Sequence, residues 1–311
     1  MYVIFLVAGA LLLAIFAVGM YTFFSACKRK KPKDWLDPEA FRGTSLEKHH
    51  PHILTAHNWL NSHETRDIYV RSRDGLRLYG RWIPAENPKG TILLAHGYQS
   101  TPYLDFSLVL DVYHNLGMNM LIPDQRCHGK SEGKYITFGV KEWQDMACWV
   151  EYHNAHLGSW PLILSGLSMG ASTVLYMADE PLPPNVRGII ADCGFTSPKE
   201  IIGHVFRTVT HLPPWPFMWA TELCARCFGR FSLKGKDTRS TLQNGKYPVV
   251  IVHGTADDFV PCRMSREGYE GCISEKELLL VEGAGHGLSF LKDRERYTKT
   301  IEDFLQRNLE E

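Results

Sequence analysis

The chain has 311 residues, 44% hydrophobic and 22% charged, with 34 basic and 34 acidic side chains. That is an ordinary globular composition, long enough for one sizeable core. Zero net charge excludes the global basic field that attracts nucleic acid, and no nucleic-acid-binding motif accompanies it.

The first segment is the least ordinary. From Met1 to Cys27 no side chain is charged, and the run YVIFLVAGALLLAIFAVGMYTFFSA is nearly all apolar. At about 1.5 Å per residue a helix of this length crosses a hydrocarbon core of roughly 30 Å. We expect a retained transmembrane anchor over residues 1–26. A cleaved signal peptide calls for basic residues ahead of a shorter apolar core, and there are none. FSAC resembles a lipoprotein cleavage box only in part, since its first position is Phe24. The cluster KRKKPK, Lys28 to Lys33, follows directly. Positive charge on this flank favours its staying in the cytoplasm, which puts the body of the protein there too. The same cluster is able to touch anionic headgroups, and a plain solubilising flank fits equally well.

Residues 27–62 read as a polar, basic-to-histidine-rich linker. His49, His50, His52 and His57 belong to it, and a connection accounts for them better than a metal site does. RDIYVRSRDGLRLYGRWIPA then reads as two strands around Asp74-Gly75, a hairpin turn. Six short apolar runs follow: GTILLAHG (90–97), MNMLIPD (118–124), PLILSG (161–166), GIIADCG (188–194), PVVIVHG (248–254) and ELLLVEG (277–283). Each fits a strand buried on both faces. YLDFSLVLDVYHNLG, VKEWQDMACWVEYHN, SMGASTVLYMAD and RERYTKTIEDFLQRN carry helical spacing between them. The expected fold is α/β: a mostly parallel eight-stranded sheet with helices on both faces and an antiparallel leading hairpin, over residues 63–311. One stretch, about 197–246, is too long for a single crossover and is rich in Phe, Trp and Pro. It reads as an inserted helical cap over the carboxyl edge of the sheet. The eight cysteines (27, 127, 148, 193, 224, 227, 262 and 272) read as reduced thiols. The CARC at 224–227 has no second Cys or His pair at zinc-like spacing and reads as thiols on a helix.

In such a sheet, ligands bind beyond the carboxyl ends of the strands. Gly166-Leu167-Ser168-Met169-Gly170 lies there, between a buried strand and a helix. Two glycines leave room for a sharp strand-to-helix turn that exposes the serine Oγ. A serine hydroxyl is a weak nucleophile and needs a base. His286, flanked by glycines in VEGAGHGLSF after the last strand, is the candidate. The acid that orients it belongs at the end of the preceding strand, where HGTADDFVP offers Asp257, which we favour, and its neighbour Asp258. An oxyanion needs donors, and the Met169 N–H and the Tyr98 N–H of AHGYQS are in place to supply them. Asp124, Arg126 and His128 in DQRCHGKSEGKYITFG precede the serine, and we read them as tying loop to loop.

LAHGY, DQRCHGKSEGKYITFG, GLSMGA, ADCGFTSP, HGTADDFVP and GAGHG together resemble the serine hydrolases of the α/β-hydrolase superfamily over about residues 60–310. More narrowly, they resemble membrane-anchored bacterial hydrolases grouped with esterases and with dienelactone-hydrolase-like or acyl-peptidase-like proteins. The resemblance implies the α/β-hydrolase fold, Ser168 as nucleophile, His286 as general base, Asp257 as its orienter, and Tyr98 and Met169 as the oxyanion hole. Relatives often have a smaller residue at the Cys127 position, a departure that touches no catalytic part. Serine at 168 argues against the dehalogenase and epoxide-hydrolase branches, which need a carboxylate there.

The expected chemistry is hydrolysis of a carboxylic ester through an acyl-enzyme, with no metal or cofactor. The expected partners are a small or lipid-like acyl substrate and the membrane, not nucleic acid; the sequence is silent on oligomeric state. A thioesterase or small-peptide hydrolase would use the same residues. The alternative from another class, a non-catalytic membrane scaffold, predicts that Ser168→Ala leaves function unchanged.

Overall fold

The hairpin and the six apolar runs assemble into one eight-stranded sheet. The computed structural model describes residues 1–31, 34, 36–43 and 47–309. The leading hairpin is β1 (Arg66–Arg71) and β2 (Arg77–Ile83). After it come β3 (Gly90–Ala95), β4 (Met118–Pro123), β5 (Leu162–Leu167), β6 (Val186–Asp192), β7 (Val249–Gly254) and β8 (Lys276–Val281). Their spatial order is β1-β2-β4-β3-β5-β6-β7-β8. β1–β2 and β2–β4 pair antiparallel, and every later pair is parallel. β3 has β4 on one side and β5 on the other, so the strand order reverses there. The crevice at such a reversal is where open α/β sheets bind ligands.

The helices are α1 (Tyr2–Cys27), α2 (His50–Ser62), α3 (Pro102–Phe106), α4 (Leu110–Asn115), α5 (Glu142–His156), α6 (Met169–Leu175), α7 (Pro198–Thr210), α8 (Trp215–Cys224), α9 (Thr238–Leu242), α10 (Arg263–Gly271), α11 (Ser289–Lys292) and α12 (Arg294–Leu309). A π-helical turn, Ala225–Gly229, extends α8. Alternate strand residues feed two cores. Leu93, Leu121, Leu164 and Ile251 meet α5 and α6 on one face. Ile92, Met120, Ile163 and Val250 meet α4 and α12 on the other. This two-sided burial is why the central strands are apolar throughout.

Two segments differ from their sequence reading. The stretch from Tyr103 to Gly117 is two helices, broken between Phe106 and Leu110. α3 is capped by Thr101 and carries Asp105, whose carboxylate bonds the loop after β3, while α4 packs Leu110 and Tyr113 on the sheet. Residues 50–62, read as linker, form α2. Ile53 and Leu60, two turns apart, are buried, and Trp59 packs against the α4–α12 core. The interspersed histidines dilute this apolar pattern and make the segment read as polar.

α1 is long and apolar enough to cross a membrane, and its first half is exposed. Its second half packs on α8. A Cβ at Gly19 would lie 2.6 Å from both the Ala220 Cβ and the Phe217 carbonyl oxygen, so only glycine permits this crossing. The Thr221 hydroxyl donates to the Gly19 carbonyl at 3.1 Å. Below it, the Ile136 N–H donates to the Cys27 carbonyl at 2.7 Å, and the Arg29 guanidinium donates to the carbonyls of Ser131 and Gly129. Pro32 and Lys33 of the basic cluster lie outside the described residues. Phe23 and Cys27 share a third core with Phe138, Met169, Phe195 and Ile201. The segment 197–246 holds α7, α8 and α9. All eight cysteines are free thiols.

Candidate active site

One residue, Ser168, separates β5 from α6, and its backbone has φ 56° and ψ −115°. L-residues rarely adopt this conformation, and the surroundings must hold it. The glycines explain how the turn closes. A Cβ at Gly170 would lie 1.7 Å from the Ala95 carbonyl oxygen, and one at Gly166 would lie 2.2 Å from the Gly170 carbonyl oxygen. The Ser168 N–H is anchored to the Asp192 carbonyl of β6 at 2.8 Å.

The residues singled out in the sequence come together here. His286, in the loop after β8, has Nε2 2.9 Å from the Ser168 Oγ and Nδ1 2.7 Å from an Asp257 carboxylate oxygen. With the imidazole proton on Nδ1, the serine hydroxyl donates to Nε2 and Nδ1–H donates to Asp257, so every group is used. Asp257 is buried and Asp258 is exposed. Burial by itself would raise the Asp257 pKa. Donation from His253 and His286 and from the Val260 amide outweighs it, and the carboxyl is held well below the usual carboxylate range.

The loop after β3 faces the serine. Met169 is the first residue of α6, so its N–H has no partner within the helix. The Tyr98 side chain turns away from the serine: its ring stacks on Phe138 and its hydroxyl donates to the Ala26 carbonyl of α1 at 2.7 Å. A reciprocal histidine clasp fixes this loop. The Gln125 N–H donates to His96 Nε2 at 3.0 Å, and the Gln99 N–H donates to His128 Nε2 at 2.9 Å. Each ring donates its Nδ1–H to a backbone carbonyl, Gly97 for His96 and Arg126 for His128. Burial pushes their pKa values down, His96 to about 4 and His128, with His96 beside it, to about 3. Arg126 pairs with Asp145 and Asp74 at 2.6 and 3.0 Å, and Asp124 accepts the Lys130 N–H at 2.8 Å. These three residues therefore hold loops.

Three further residues at the site had no role in the sequence reading. Asp105 accepts the Gly97 N–H and the Ser100 hydroxyl, both at 2.5 Å, and burial raises its pKa to about 6 against those bonds. His253 braces Asp257 from below: its Nε2 lies 3.2 Å from the carboxylate and its Nδ1 2.7 Å from the Ser265 hydroxyl. Asp192, fully buried at the end of β6, is raised to about 6 by burial against the pull of His253 and His286. Cys193, Asp257 and His286 place ligand atoms within 4.8 Å of one another. Both imidazole nitrogens of His286 are already committed, however, and burial drives the Cys193 thiol far above its ordinary pKa, away from the thiolate that a metal needs.

Two clefts meet at Ser168. One, about 220 Å³, runs past His286, Gly97 and Asp105 towards α2. The other, about 290 Å³, is apolar and lies between α1 and α7 over Tyr98, Phe138 and Phe259. A larger cavity, about 810 Å³, lies among α7, α8 and α9 and does not reach the serine.

A mixed sheet in this order, with a serine elbow at its topological switch, defines a hydrolase of the α/β-hydrolase fold. Residues 86–243 match the serine aminopeptidase S33 family, and the chain belongs to it. The match includes Ser168 and ends before Asp257 and His286. Among similar proteins, the "Uncharacterized protein YqkD" of Bacillus subtilis is 27% identical over 97% of this chain and 96% of its own. The "Uncharacterized membrane protein YNL320W" of Saccharomyces cerevisiae is 26% identical over 75% and 77%. A Pyrococcus furiosus esterase, Pf2001, superposes with a TM-score of 0.65 at 24% identity, over 80% of this chain and 92% of its own.

Proposed function

We propose that the protein is a membrane-anchored serine hydrolase that cleaves carboxylic esters of apolar acyl groups. The observation that carries this reading is the line of contacts Asp257–His286–Ser168 opening on an apolar cleft. The Ser168 Oγ attacks the ester carbonyl carbon while its proton passes to His286 Nε2. Asp257, ionised throughout, holds the Nδ1 proton and stabilises the imidazolium. The Tyr98 and Met169 N–H groups receive the oxyanion. His286 then protonates the departing alcohol. Water attacks the acyl-enzyme, gives its proton to His286, and Ser168 leaves with its hydrogen restored. The steps call for no metal or cofactor.

An aminopeptidase must hold a free α-ammonium group against an acid. Among the described residues lining the two clefts, the only carboxylate is Asp105, which is committed to Gly97 and Ser100. We therefore favour esters over amino-terminal peptides. Labelling the full chain with a fluorophosphonate and locating the adduct by mass spectrometry tests the reading. We expect one adduct, on Ser168, and turnover of p-nitrophenyl esters but not of aminoacyl p-nitroanilides. The reverse preference would overturn the ester assignment, and failure to label would overturn the nucleophile.

α1 is proposed to be the membrane span, with the catalytic body on the cytoplasmic side by the charge of Lys28, Arg29, Lys30 and Lys31.

A further inference from the structure

The apolar cleft has an unusual wall. Val18, Tyr21, Thr22 and Ser25 of α1 line it on one side, and Ile202, Val205 and Val209 of α7 on the other, with Ser168 at its inner end. The segment that passes for a mere tether is therefore part of the pocket. The two are also tied at the reacting end, where the hydroxyl of Tyr98 donates to the Ala26 carbonyl.

The depth of this wall follows from helix geometry. About 20 residues span the hydrocarbon core, so a span beginning at Tyr2 ends near Tyr21. The contacts between α1 and the cap lie at that level: the rings of Phe16 and Trp219 are 6.0 Å apart, and Gly19 meets Ala220. The cap thus reaches the membrane, and its surface suits that. Trp215 is 78% exposed and Val209 73% exposed, and Leu212, Trp219, Leu223 and Phe228 are exposed beside them. Aromatic side chains of this kind settle at membrane interfaces. From Ala26 up to Val18 is eight residues, about 12 Å of helix. A chain lying along it from Ser168 emerges between Val18 and Val209, at bilayer depth.

We propose that α1 is a wall of the acyl pocket and that the pocket opens sideways into the bilayer between α1 and α7. The substrate is then a long-chain acyl ester resident in the membrane, its carbonyl at Ser168 and its tail returning to the lipid. The inference rests on the ester-hydrolase reading above. It adds the class of substrate, its source and a specificity-determining surface on the anchor.

The test uses the full chain in detergent and a p-nitrophenyl ester series from acetyl to palmitoyl. Thr22→Trp narrows the cleft from the α1 side. Met20→Trp, about 200° around the helix from Val18 and exposed, is its control. We expect Thr22→Trp to lower kcat/KM for dodecanoyl and longer esters at least about tenfold, leaving acetyl within about twofold, because several methylenes lose their apolar contact. Met20→Trp should leave both unchanged. Equal loss at all lengths, or no loss, would overturn the proposal. A second measurement does not depend on a folded variant. A long-chain fluorophosphonate with a photoreactive tail should cross-link wild-type protein within residues 18–26 or 201–209. Cross-links confined to the cleft beside α2 would overturn the pocket. Finally, protein in phosphatidylcholine vesicles should react with this probe faster when both share a bilayer than when the probe is held in separate vesicles. Equal rates would overturn lateral entry. If wild type hydrolyses no ester and takes up no fluorophosphonate, the ester-hydrolase reading itself fails. If it does both and the variants do not discriminate, only the present inference fails.

Discussion

Asp257 takes donors from two histidines and two backbone amides, and this sets what a single change at the site does. Asp257→Asn loses the charge that stabilises the imidazolium and admits the wrong tautomer of His286. We expect kcat for a p-nitrophenyl ester to fall by roughly 10³–10⁴-fold with the fold intact, measured beside a circular dichroism spectrum. Its depressed pKa keeps the carboxylate ionised at working pH, so its own stabilising contribution is lost only in strong acid. The histidine clasp behaves differently. The pKa of His128 is lowered from 6.5 to about 3, so its contribution to stability is complete above the unfolded value and declines as pH falls from about 6.5 towards 3. The melting temperature of His128→Gln should thus lie well below wild type at pH 7.5, and the gap should shrink by pH 5. A gap that stays constant would contradict the clasp. That Ser168, His286 and Asp257 come together was legible in the sequence because each follows a strand's carboxyl end, with glycine on both sides of His286, two residues either side of Ser168 and three residues before Asp257. Spacing alone separates Asp257 from Asp258 by one residue; in the fold Asp257 is buried beside His286 and Asp258 is exposed. Asp105 and His253 were not legible. One lies in a short helix eight residues beyond the Gly97 amide it accepts, and the other reads as an ordinary end to VVIVHG.

At the scale of elements, the elbow between β5 and α6 is the least tolerant joint. Gly170→Ala drives a methyl into the Ala95 carbonyl, which the paired β3 and β5 leave no room to move. We expect a loss of at least about 3 kcal/mol in stability, read as a fall in melting temperature, and little soluble protein. Six of the strands, β3 to β8, were legible to within two residues because each is a short apolar run bounded by turns, and the hairpin was legible from its Asp74-Gly75 turn. α2 was not, since its buried face is Ile53 and Leu60 among histidines, and its place is decided by what it packs on. The break between α3 and α4 was hidden for the same reason: local spacing does not show where a helix must change direction to follow a sheet.

For the whole molecule, the α1 packing changes what counts as the domain. Phe23 and Cys27 are buried in a core with Phe138, Met169 and residues of α7 and α8. A chain lacking residues 1–27 exposes that surface, and we expect it to bind a hydrophobic dye and aggregate in the absence of detergent. A monomeric, dye-free truncation would show that the third core is dispensable. The apolar run was legible as one long helix, but its packing against α8 was not, because a lipid-facing helix and a half-covered one have the same composition. Topology is checked separately: a C-terminal reporter active only outside the cytoplasm should stay silent, and signal would reverse the orientation. Acyl transfer to water by Ser168 is tested by p-nitrophenyl dodecanoate hydrolysis by the full chain in detergent, wild type beside Ser168→Ala. Wild type should turn the ester over, and turnover should fall by at least about 10³-fold in the variant. Equal rates in the two, or a folded wild type with none, would contradict it and leave a non-catalytic scaffold as the better description.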